Sequence, residues 1–163
     1  MPEHMKNATP IYQIVSEGMD ADQYGHFSKL IRRKQREYQI EQLPLSSMTM
    51  DESIAKYLDE FTLYDSENDE EIHLNDIQKH DINLVLQKRN MLLQWEQGSG
   101  KTLAGIATGL YRMERQNTFC TWVVSSAISI KNNWDVVLPN YRLPYVMVNR
   151  MKDLEQIKRG DFV

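Results

Sequence analysis

Residues 95–102 read Trp-Glu-Gln-Gly-Ser-Gly-Lys-Thr. Two glycines, a lysine and a threonine at this spacing suit the binding of phosphate. Gly98 and Gly100 let the backbone turn tightly and bring its N–H groups close to phosphate oxygens. Lys101 can reach the β- and γ-phosphates of a nucleotide, and the Thr102 hydroxyl can ligate Mg²⁺. A helix opening here adds the partial positive charge of its N-terminus. Glu96, Gln97 and Ser99 complete the loop. The full G-x-x-x-x-G-K-[ST] pattern is not met, because Trp95 holds the first glycine position. Trp95 itself either packs in the core or stacks on a base.

A loop of this kind needs a strand before it and a helix after it. Residues 91–95 form a short apolar run that predicts a buried strand, and residues 102–115 predict a helix. Strands are also predicted at 119–124 and 145–148, with a fourth starting at 161–163. Helices are predicted at 73–88, at 128–138 (ended by Pro139) and at 151–158. Strands alternating with helices imply β-α-β units, hence a mostly parallel sheet covered on both faces.

The first part of the chain differs. Residues 21–42 predict a helix stopped by Pro44, with Tyr24, Phe27, Leu30, Ile31, Tyr38 and Leu43 along one stripe. Its other face carries Lys29, Arg32, Arg33, Lys34 and Arg36. That face is either solvated or contacts nucleic-acid phosphates; the flanking Asp20, Asp22, Glu37 and Glu41 favour solvation. Residues 50–63 predict a second helix, with Thr49 and Glu52 as a capping box and Ile54, Leu58 and Phe61 as the apolar face. The acidic run 65–71 reads as an exposed linker and lacks the glycine and ligand spacing of a calcium loop. Residues 1–10 read as a loose leader outside the fold.

Residues 74–163 resemble the start of the first RecA-like domain of a superfamily-two DNA helicase or translocase, of the Swi/Snf or DEAD/DEAH type. The Swi/Snf-type motif I commonly reads Asp-Glu-x-Gly-x-Gly-Lys-Thr, and only Trp95 departs from it here. Leu74-Asn75-Asp76-Ile77-Gln78 is similar to the family's Leu-x-x-x-Gln element. Val123-Val124-Ser125-Ser126-Ala127 followed by Asn133-Trp134 resembles motif Ia, with Ser126 where proline is common. The resemblance implies ATP and Mg²⁺ as ligands, Gln78 as reader of the adenine edge, and DNA as partner. It also implies Ser125, Ser126 and Lys131 as contacts to the DNA backbone. The implied fold class is α/β: a partial RecA-like domain with a parallel sheet over 71–163, preceded by a mainly helical accessory region, 1–70, ending in the acidic linker.

Composition bounds these expectations. The chain is 41% hydrophobic and 26% charged, ordinary for a globular protein and against a disordered one. Residues 1–70 carry 7 Lys/Arg and 14 Asp/Glu, whereas residues 71–163 carry 12 and 9, which fits a domain change near residue 70. The single Cys120 excludes an internal disulfide and reads as an inert core thiol in a reducing, cytoplasmic setting. His4, His26, His73 and His80 have no metal-ligand spacing. No apolar run approaches the length of a membrane span. ATP hydrolysis also needs an acidic pair at the end of a later strand, and none occurs after residue 103. The chain therefore reads as the N-terminal part of a longer enzyme, inactive as an ATPase by itself. Another phosphate-loop ATPase and a non-catalytic nucleotide- or partner-binding module are the alternatives. Residues 1–70 could bind a protein partner or cover a sheet edge.

Overall fold

The computed structural model describes residues 20–163, so the expected loose leader at 1–10 lies outside the described residues. The chain divides into two compact units at Pro44 and Leu45, whereas the change in charge density near residue 70 falls inside the second.

The described part of the first unit is one helix, α1 (Ala21–Gln42). Asp20 caps it: its carboxylate accepts from the N–H groups of Asp22 and Gln23, and the Gln23 amide oxygen accepts from the Asp20 N–H. Leu43 before Pro44 is extended, where the helix ends. Arg33 and Lys34 both bond Glu37, at 2.8 and 2.7 Å, and Lys34 and then Arg33 hold that carboxyl below its usual range. Part of the basic face is thus satisfied along the helix itself.

The second unit opens with a 3₁₀ turn (Leu45–Ser47) and helix α2 (Glu52–Glu60). Asp51, rather than Thr49, is the N-cap, because its carboxylate accepts from the Ser53 and Ile54 N–H groups. Ile54, Leu58 and Phe61 are buried, as their spacing predicts. Strands β1 (Thr62–Asp65) and β2 (Glu70–His73) then form an antiparallel hairpin, Thr62 opposite His73 and Asp65 opposite Glu70. The acidic run is therefore the turn of a hairpin. Asp65 organises it, accepting from the side chain and N–H of Asn68, from Asn140 and from the Glu67 N–H. These bonds, the Asn68 side chain foremost, hold the Asp65 carboxyl below its usual range. Helices α3 (Asp76–Gln87) and α4 (Lys101–Arg115) follow. Then come α5 (Ala127–Ser129), a π turn (Ile130–Trp134), α6 (Asp135–Asn140) and a 3₁₀ turn (Met151–Gln156).

The expected α/β fold class is corrected here. Among the described residues the only sheet is the two-stranded β1–β2 hairpin, and the unit is mainly helical. No parallel RecA-like sheet forms among the described residues. Residues 91–95, 119–124 and 145–148 are irregular, and parallel pairing is confined to single bridges from Phe162 to Thr121 and to Tyr145. The reason is the missing second layer. A parallel strand is covered on both faces, but Leu92 is 85% and Val124 91% exposed, with Trp122 and Met147 also exposed. Apolar runs without covering helices or laddered neighbours do not become strands, whatever their composition. The expected helix at 151–158 is likewise only a 3₁₀ turn.

The core lies among α2, α3, α4 and α6, with Leu58, Ile82, Ile106 and Phe162 fully buried. Asn83 is buried with them and bonded both ways to Asp51: its amide oxygen accepts from the Asp51 N–H, and its amide nitrogen donates to the Asp51 carbonyl, both at 2.9 Å. That pair locks the start of α2 onto α3. On α4, Gly109 lets the bridged segments approach. A Cβ there would stand 2.9 Å from Thr121 Oγ1 and 3.0 Å from the Phe162 ring. Among the described residues no helix is long and apolar enough to cross a membrane.

Gly109 yields a direct test. Gly109→Val gains a few tenths of a kcal/mol in helix propensity, but overpacking in such a contact costs about 1–3 kcal/mol. Denaturant unfolding is expected to show net destabilisation; a neutral or stabilising outcome would mean α4 does not seat on Thr121 and Phe162.

Candidate phosphate-binding site

The site is built where α3 meets the start of α4. Gly98 and Gly100 both have left-handed backbones, with φ of 81° and 85°. Residues with a Cβ pay about 1–2 kcal/mol for this conformation. Gly100 is the N-cap of α4 and supplies no side-chain cap. The first-turn N–H groups of α4 therefore have no side-chain acceptor from their own cap, which leaves them available to an anion.

Helix α3 holds the loop in place. Asn75 caps α3, accepting from the Gln78 N–H, while the Gln78 amide oxygen accepts from the Asn75 N–H at 2.9 Å. The Gln78 amide nitrogen donates to the Ser99 carbonyl at 3.0 Å. It stands only 2.5 Å from where a Cβ on Gly100 would be. One turn along α3, Asp81 accepts from the Trp95 indole N–H at 2.8 Å. His80 and then Trp95 hold the Asp81 carboxyl below its usual range. Trp95 is half-buried against the core, so the bland account of it, packing, describes its observed contacts.

Within the loop, the Ser99 hydroxyl donates to the Glu96 carbonyl at 2.5 Å. The Lys101 ammonium bends back over the loop, donating to the carbonyls of Trp95 (2.7 Å) and Glu96 (2.8 Å). Lys101, Glu96 and Gln97 are exposed, and Thr102 is half-buried. The Thr102 hydroxyl oxygen accepts from the Asn133 amide at 2.9 Å. A cleft of about 480 Å³ runs from Lys101 along α4 to Arg112, with Cys120 on its wall. Cys120 is half-buried, not a core thiol.

The structure thus gathers Gln78, Glu96, Ser99, Gly100 and Lys101 around one turn and places Thr102 at its edge. Ser125 and Ser126 lie elsewhere, just before α5, and Lys131 lies in the π turn that follows it. All three are exposed, and the Ser126 hydroxyl accepts from the Ser129 N–H as that helix's cap. Sequence reasoning missed Asp81, and it singled out Asn133 only within the motif Ia resemblance, not as a partner of Thr102. Trp95 carried one signal for Asp81, because a half-buried indole N–H needs an acceptor. The set fits a phosphate with Mg²⁺: backbone donors at a helix start, an exposed ammonium beside them, and a hydroxyl with one lone pair still open. No family model, curated protein or solved structure matches the chain.

The left-handed turn sets a measurable expectation. Gly100→Ala must strain φ and displace the Gln78 amide, so it is expected to destabilise the unit by about 1–2 kcal/mol in chemical denaturation. Gln78→Ala loses the bonds to Asn75 and Ser99 by itself, but it should cost less in the Gly100→Ala background than in the wild type, because it also relieves the clash. Equal costs in the two backgrounds would show that the clash with Gln78 is not what excludes a side chain at position 100.

Proposed function

We propose that the chain binds ATP with Mg²⁺ through residues 96–102, as part of an ATP-dependent nucleic-acid motor of the helicase or translocase kind. The observation that carries the reading is local. A helix begins at a left-handed glycine with no side-chain cap, and the next residue is a lysine whose ammonium donates to the loop carbonyls of Trp95 and Glu96. Phosphate oxygens can replace those carbonyls at little cost, since each exchange swaps a neutral acceptor for a charged one. The β- and γ-phosphates would meet the first-turn N–H groups of α4 and Lys101, and Thr102 would ligate the cation.

The resemblance extends the reading outward. Gln78 keeps one amide hydrogen and one oxygen lone pair beyond its bonds to Ser99 and Asn75. That residue pattern supports contact with an adenine edge. Ser125, Ser126 and Lys131 are exposed and of the types that bond nucleic-acid phosphates. Motif I and the Leu74–Gln78 element favour this class over other phosphate-loop ATPases. Without an acidic pair at a strand end, this chain is expected to bind nucleotide and not turn it over.

Isothermal titration with ATP and Mg²⁺ tests the reading. Lys101→Ala removes charge-assisted bonds worth about 1.5–3 kcal/mol, so Kd should rise by about tenfold or more. Wild-type protein that binds no nucleotide, or binding indifferent to Lys101→Ala, would overturn it.

A further inference from the structure

The π turn Ile130–Trp134 aims two consecutive side chains at the first turns of α4. The Asn133 amide donates to the Thr102 hydroxyl oxygen at 2.9 Å. The Trp134 ring edge lies 3.2 Å from where a Cβ on Gly105 would be. Gly105 thus makes room for Trp134, and Trp134 beside it fixes the distance at which Asn133 meets Thr102. Single π turns inside helices are uncommon and are often found at functional sites.

A threonine near a helix start has two competing uses for its hydroxyl. It can bond back to a carbonyl three or four residues earlier, here Ser99 or Gly98, or it can face outward. Asn133 is a donor, so it takes one lone pair of the Thr102 oxygen and biases the rotamer towards itself. The second lone pair stays available. A cation that needs an oxygen ligand then meets a hydroxyl already in position, without the entropy cost of fixing it. Asn133 is half-buried, not core, and the bond spans two elements far apart in sequence.

We infer that Asn133 is a positioning residue for the Thr102 hydroxyl, which holds that oxygen ready for the divalent cation of a bound nucleoside triphosphate. The inference rests on the ATP·Mg²⁺ reading of the loop. It makes the segment from Ser126 to Trp134 a support of the nucleotide site, in addition to any nucleic-acid contact it carries.

The test compares ATP affinity of the whole chain in Mg²⁺ and in EDTA by titration calorimetry. For Asn133→Ala, the gain in affinity from Mg²⁺ should fall by about 3- to 10-fold, the worth of one net hydrogen bond. Affinity in EDTA should be unchanged. Thr102→Val should remove the same gain, and adding Asn133→Ala to it should cost nothing further. Equal losses with and without Mg²⁺, or a further loss in the double variant, would make Asn133 merely structural and overturn the inference. An unchanged Mg²⁺ gain would overturn it too. Should Asn133→Ala not fold, Asn133→Ser, too short to reach Thr102, takes its place; failure of both to fold assigns Asn133 to stability alone. Wild-type protein with no ATP binding sinks the underlying reading, whereas Mg²⁺-dependent binding indifferent to Asn133 sinks only this step.

Discussion

The turn at Gly100 is the constraint on which the site depends. Its left-handed backbone starts α4, and the Gln78 amide presses against the space a side chain would need. The same amide bonds the Ser99 carbonyl and closes the capping box of α3. One side chain therefore fixes where α3 begins and where the loop before α4 must pass. The direction of the α4 N-terminus, and of its free N–H groups, follows from that contact.

The second requirement is that α4 be held from its other side. Gly105 and Gly109 give two close approaches, to Trp134 and to the Thr121–Phe162 bridge. The helix is thus bracketed by small residues where neighbours come in and by Ile106 and Ala107 where it meets the core. A rigid helix start is what a phosphate site needs, since its donors must be in place before the anion arrives. Loop closure by Lys101 onto two carbonyls keeps the ammonium near the same point until an anion competes for it.

Much of the helical organisation was legible in the sequence. The range of α1 follows from the apolar stripe and Pro44, and α4 begins one residue before its expected start. Ile54, Leu58 and Phe61 reveal the buried face of α2 by spacing alone. The sheet was not legible correctly. Residues 91–95 and 119–124 have strand-like composition, but a strand is defined by its partner and by what covers it, and neither is encoded in the run itself. The exposed Leu92 and Val124 record that absence of cover among the described residues. Of the site, the loop residues and Gln78 stood out because their types are chemically unusual together. Asp81 did not, since a lone polar residue on a helix face acquires meaning only from the element packed against it, and Asn133 stood out only within the motif Ia resemblance, not as a partner of Thr102. Thr49 lost its expected capping role to Asp51 because a carboxylate one residue from the helix reaches its N–H groups directly.

We propose that the backbone at the start of α4 binds phosphate. Backbone amide resonances followed by NMR during titration with ATP and Mg²⁺ test it most directly. The largest shifts are expected at Gly98, Ser99, Gly100, Lys101 and Thr102, with smaller ones at Asn133. Shifts centred elsewhere, or none at millimolar nucleotide, would contradict it and leave 95–102 as a turn that merely opens a helix.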